Sequence, residues 1–131
     1  MNRLWIAATA MLVLLWTPLA KAQFGEPRHY DASSVTALVD RVQTDLNQAY
    51  RIWHFSNSDR NRLNHAEKEL REFARTWQNY RFDKGELDDA ISSVQHVLDN
   101  NRLNPADRDA LSQDVFRLRN MRDAYEHHAI E

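Results

Sequence analysis

The chain has 131 residues, 17 basic against 19 acidic for a formal charge of −2, and no cysteine. That mildly acidic balance gives no support for binding nucleic acid through phosphate neutralisation, and without cysteine there is no disulfide framework, no thiol nucleophile and no lipid-attachment residue. Only two glycines and three prolines occur, too few breakers for many short strands, so the composition points to helices.

Met1-Asn2-Arg3 supplies one positive charge, an uncharged apolar run follows from Leu4 to Trp16, and Pro18 then ends any helix. Ala20-Lys21-Ala22 places small residues where a signal peptidase pocket needs them. This charged, apolar, small-residue order predicts a cleavable signal peptide over residues 1–22, cut between Ala22 and Gln23. A membrane span needs about 20 apolar residues, and the stretch from Leu4 to Ala20 is a little short and contains Thr17 and Pro18. No later run is long enough, so no stable span is expected after cleavage, and the expected location is secreted or periplasmic. Removing the leader takes away Arg3 and Lys21, which leaves 15 basic and 19 acidic residues and a charge of −4.

Residues 23–32 lack periodicity and are expected to form a flexible arm, with Phe24 and Tyr30 as its docking residues. Residues 33–131 are expected to form one all-α domain, a small antiparallel four-helix bundle. The first helix is predicted to be capped by Ser33 or Ser34 and to run to Phe55. Val35, Leu38, Val39, Val42, Leu46, Ala49, Tyr50 and Trp53 recur at steps of three and four on one stripe, with Asp40, Arg41, Thr44, Asp45 and Gln48 largely off it. The polar stretch from Ser56 to Arg62 reads as a linker. A second helix is predicted from Asn64, with Asn64 and Glu67 as a capping box and Ala66, Leu70, Phe73, Ala74 and Trp77 as its stripe.

That helix is expected to fray through Asn79 to Gly85, with Gly85 at a positive-φ turn position. The third helix is predicted to start at Asp88, with Leu87, Ala90, Ile91, Val94, Val97 and Leu98 buried. Asn104-Pro105 opens the fourth, since asparagine at the cap and proline at the first helical position form a specific start signal. Leu111, Val115, Leu118, Met121 and Tyr125 supply its stripe, with Phe116 beside it.

Three segments repeat a leucine before a capping residue: Arg62-Leu63-Asn64, Glu86-Leu87-Asp88 and Arg102-Leu103-Asn104. The first and third extend to Leu63-Asn64-His65-Ala66-Glu67 and Leu103-Asn104-Pro105-Ala106-Asp107. These resemble the Leu-Thr-x-x-Gln signature of periplasmic helical chaperones and metal sensors, with neither its threonine nor its glutamine. The resemblance implies a curved helical hairpin or dimer that cradles unfolded clients. Leu63, Asn64 and Glu67 also resemble the end of an EF-hand loop, but Arg60 then falls at a liganding position, and a guanidinium cannot bind calcium.

The histidines, His29, His54, His65, His96, His127 and His128, show no zinc-ligand spacing. No serine stands in a nucleophile elbow, and Glu67, Glu69, Glu72, Asp88 and Asp89 read as exposed carboxylates at helix starts. No catalytic, cofactor or metal residue is therefore assigned. Trp53 and Trp77, with Tyr50, Phe73 and Tyr80, form the main aromatic group, expected to be half of the core. The expectation for function is a non-catalytic exported protein acting through protein contact, chaperone-like or envelope-associated. A small-ligand or metal-binding module is the second reading, and oligomeric state is left open.

Overall fold

The computed structural model describes residues 30–52, 56–128 and 130. They form α1 (Ala32–Ile52), α2 (Asn57–Gln78), α3 (Lys84–Asn100) and α4 (Pro105–Glu126). No strand occurs among the described residues; the one extended contact is a bridge between Tyr30 and Ile130. The expected all-α class is what the chain adopts. The leader with Ala20, Ala22 and Gln23, the arm up to residue 29, and Trp53, His54 and Phe55 lie outside the described residues.

Side-chain caps mark the helix starts, and three of them differ from expectation. Asp31, not Ser33 or Ser34, caps α1: its Oδ1 accepts from the Ser34 amide at 2.7 Å and the Ser33 hydroxyl at 2.9 Å. Those hydrogen bonds, the one from Ser34 foremost, lower the Asp31 carboxyl to a pKa of about 2. The presumed linker is the first part of α2. Ser56 accepts from the Asp59 amide at 3.2 Å and the Asp59 carboxylate accepts from the Ser56 amide at 3.3 Å, a capping box that starts the helix roughly two turns before Asn64. Likewise, Asp83 rather than Asp88 caps α3, accepting from the Glu86 amide at 3.1 Å. Only α4 starts where expected, with Asn104 accepting from the Asp107 amide at 2.7 Å and Pro105 following.

Two of the three leucine-before-cap segments are therefore helix interior. Leu63 and Leu87 are buried in the core, because a leucine followed by a polar residue is also one step of any amphipathic stripe. The turn role expected of Gly85 is taken by Tyr80, while Gly85 sits in α3 without a positive φ. The Tyr80 amide donates to the Trp77 carbonyl and the Arg81 amide to the Thr76 carbonyl, at 2.9 and 3.1 Å. This is a Schellman closure, with tyrosine at φ 58° where glycine is usual.

Each helix touches two others: α1 packs on α2 and α4, and α3 packs on α2 and α4, while the diagonal pairs do not meet. Residues that pair across the seams run in opposite senses. Tyr30 meets Ile130 and Arg41 meets Asp114; Arg62 meets Asn101; Asp88 meets Arg122 and Gln95 meets Arg119. The helices thus alternate in direction around a ring, the up-down-up-down arrangement that short connections allow.

The predicted stripes converge on one core. Val35, Val42 and Leu46 of α1, Leu63, Leu70 and Phe73 of α2, Leu87, Val94 and Val97 of α3, and Leu111, Leu118 and Met121 of α4 are fully buried. Each such side chain contributes about 1.5–3 kcal/mol by leaving water. Two stripe residues depart from expectation: Tyr50 is 41 % exposed and Tyr125 is 38 % exposed. One end of the bundle is tied by polar bonds across loops. Arg62 Nε donates to Asn101 Oδ1 at 2.6 Å, Asn101 Nδ2 donates to the Asp59 carbonyl at 3.1 Å, and Arg108 donates to the Leu98 carbonyl at 2.8 Å.

Candidate functional site

The α3–α4 face holds two adjoining concavities of about 370 and 360 Å³ that share Gln95, Asp99 and Arg119. Asp88, Ser92 and His96 line one end from α3, and Arg108, Ser112 and Phe116 line the other. Across the groove Arg119 donates to Gln95 Oε1 at 3.2 Å, and Arg122 donates to Asp88 Oδ1 at 3.1 Å. Lys84 donates to the other Asp88 oxygen at 2.9 Å. Burial alone would push the Asp88 carboxyl up, but the bonds from Lys84 and Arg122 outweigh it and hold the pKa below the ordinary value. Phe116 projects at the lip with 65 % of its surface exposed. The core stripe of α4 is already complete with Leu111, Val115 and Leu118, so Phe116 falls on the helix's outer side. The groove is open and mixed in polarity, which suits contact with a side-chain-bearing surface better than enclosure of a small apolar molecule.

A second cluster joins α2 to α3. Glu69, Glu86 and Asp89 each bring one carboxylate oxygen within 4.8 Å of the others. Glu69 and Asp89 were expected as exposed helix-start charges, and Glu86 was not singled out; the earlier start of α2 places Glu69 well inside its helix, and Glu69 is buried. Lys68 Nζ lies 3.6 Å and His65 Nδ1 3.5 Å from Glu69, so the cluster is partly balanced by its own neighbours. Burial, then the charges of Glu72, Asp83, Glu69 and Asp89, raises the Glu86 pKa. Three oxygens make half of a hard-cation shell, which takes about six to eight.

The third feature lies in the α1–α4 seam. Asp114 is completely buried, and Asp45 faces it from α1. Arg41 Nε stands 3.4 Å and Arg117 NH1 3.5 Å from Asp114 Oδ1. Asp45 was read as off the apolar stripe, and Asp114 was not singled out. A usable signal existed: Asp114 stands three residues after Leu111 and four before Leu118, and Asp45 three after Val42 and four before Ala49, so each lies on a buried face.

The remaining sequence-selected residues do not assemble. His65, His96, His127 and His128 lie exposed on separate parts of α2, α3 and the α4 end. His96 Nδ1 contacts Asn100 Nδ2 at 2.9 Å, and His127 Nδ1 contacts the Asp123 carbonyl at 2.7 Å. His29 and His54 are outside the described residues. The aromatic group is also differently composed. Tyr80 is 99 % exposed, and the hub is Phe82, which meets Phe73 and Trp77 edge-on at 5.3 and 6.1 Å and stacks on Tyr125 at 4.2 Å. Phe82 was missed because it sits in the turn before α3, where no periodicity marks it. No protein-family model, no curated protein and no solved structure matches the chain.

Proposed function

We propose that this is an exported, non-catalytic helical protein that acts by contact with another protein. The observation that supports the reading best is the open α3–α4 groove, with exposed Phe116 at its lip and Arg108 and Arg119 along its side. An exposed aromatic beside arginines is the composition enriched where protein interfaces concentrate their binding energy. The leader of residues 1–22, with its expected cut after Ala22, supports a secreted or periplasmic location. After such a cut no membrane span is expected, and no helix among the described residues is long and apolar enough to cross a bilayer. The chaperone-like form of this reading loses one support, since Leu63-Asn64-His65-Ala66-Glu67 lies inside α2 and is not a helix start.

A photo-crosslinking residue in place of Phe116 tests the contact reading in the expressing cell. A discrete crosslinked partner from that site, absent when the crosslinker replaces the exposed Asn47 of α1, is the expected result. Equal labelling from both sites overturns it, as does a specific chemical turnover by the purified protein. N-terminal sequencing of the same material checks export, with Gln23 expected at the new terminus.

A further inference from the structure

Outside the groove, the strongest chemistry is the carboxyl pair between α1 and α4. Neither oxygen of Asp114, nor Oδ2 of Asp45, receives a hydrogen bond from any donor, although all three atoms are buried. Two ionised carboxylates are acceptors only, and facing each other they repel; one proton between them turns the contact into an O–H···O bond. The charged groups around the pair are few. From α1 come Arg41, 3.4 Å from Asp114 Oδ1 and 3.9 Å from Asp45 Oδ2, and from α4 itself Arg117, 3.5 Å from Asp114 Oδ1. None of these reaches hydrogen-bond alignment with the buried carboxylate oxygens. The α3 groups facing α4 are engaged elsewhere, Asp88 with Arg122 and Gln95 with Arg119. α2 does not pack on α4. Arg41 is half exposed, so solvent weakens its pull on a carboxyl that has no exposure itself. Arg117 NH1 is buried and also without a hydrogen bond, so its charge opposes the proton from 3.5 Å without bonding the carboxylate.

We infer that Asp45 and Asp114 hold one proton between them and that the α1–α4 seam is a proton-operated joint, closed with the proton in place and loosened when it leaves to solvent. The inference goes beyond the contact reading and does not depend on it. Burial first, then the hydrogen bond and charge of Asp45, raises Asp114 to a pKa of about 7, against the opposing charges of Arg41 and Arg117. A solvated aspartate titrates near 3.8. Between those values the closed seam keeps a proton that the open one has lost. The opening constant therefore rises about tenfold per pH unit as pH climbs, then levels off above the folded pKa.

Amide hydrogen exchange of the purified protein at pH 5 and pH 7, corrected for intrinsic exchange chemistry, reads this directly. Protection in α1 and α4 is expected to fall about 50-fold over those two units, the rise being half levelled at pH 7, with a smaller loss in α2 and α3. Asp114→Asn, which mimics the protonated acid, is expected to remove the dependence. If that variant does not fold, Asp45→Asn at the less buried partner decides the question, since it also abolishes the charge repulsion. Unchanged protection in the native protein, an equal loss across all four helices, or full pH dependence in the folded variants each overturns the joint. Carbon-detected NMR of the Asp114 carboxyl gives an independent reading: a midpoint near neutrality supports it, and one below pH 5 overturns it.

Discussion

Asp114 makes a quantitative demand on global stability as well as on local opening. Its carboxyl is fully buried, and its pKa is about 7 in the fold against 3.8 for the free side chain. Each pKa unit corresponds to about 1.4 kcal/mol between protonation states, so the roughly three-unit difference allows a change of up to about 4 kcal/mol. The sign follows from a raised acid pKa. In the window between the two values the folded state binds more protons than the unfolded one, so stability falls as pH rises from about 4 to about 7, then levels off. A domain of this size has only about 5–15 kcal/mol in total, which makes such a loss easy to detect. Urea unfolding at half-unit steps from pH 4 to pH 8 measures it, with Asp114→Asn beside the native chain. The native curve is expected to slope downward with pH, and the variant curve to be flatter and to lie above it at pH 8. Two parallel curves would refute the reasoning, because the slope would then originate in other groups. Below pH 4 the trend reverses: Asp31, Asp59 and Asp88 have lowered pKa values in the fold, so the stability they contribute is lost as each is protonated.

Tyr80→Gly is expected to raise stability by up to about 1 kcal/mol in the same assay, by removing the cost of a left-handed tyrosine at the end of α2. Phe82→Ala is expected to lower it by about 2–3 kcal/mol, since it removes the ring on which Phe73, Trp77 and Tyr125 converge. Asn104→Ala is expected to cost about 1 kcal/mol through loss of the α4 cap, whereas Asn64→Ala, an exposed position inside α2, is expected to change stability by less than about 0.5 kcal/mol. Calorimetric titration with calcium, magnesium and zinc is expected to be flat under the contact reading; a heat abolished by Glu86→Gln would move the function to the acidic cluster.

The apolar faces of all four helices could be read from spacing alone. Val35 to Ala49, Leu70 and Phe73, Leu87 to Leu98, and Leu111 to Met121 are buried as the periodicity indicates, because a helix has a fixed period and needs only one dry side. The Asn104-Pro105 start was equally legible, since the two residues favour one local geometry without help from the rest of the chain. The other starts were not. Ser33, Ser34, Ser56, Asn64, Asp83 and Asp88 can all cap a helix, and local chemistry does not rank them. The bundle ranks them through contacts far apart in sequence: Leu63 enters the core, and Arg62 reaches Asn101, so α2 must already be helical before Asn64.

The candidate sites divide along the same line. Phe116 stood out beside its stripe, but its partners in the groove, Gln95 and Asp99, come from α3 and needed the fold to bring them there. Phe82 became an aromatic hub only because a turn folds back onto α4. Sequence alone determined the helical class, the dry faces and the expectation of a leader at residues 1–22, because each depends on residue type and short spacing. Tertiary structure alone decided which caps were used and which charges met. Asp45 and Asp114 are 69 positions apart, and only the packing of α1 on α4 turns two ordinary aspartates into a buried pair.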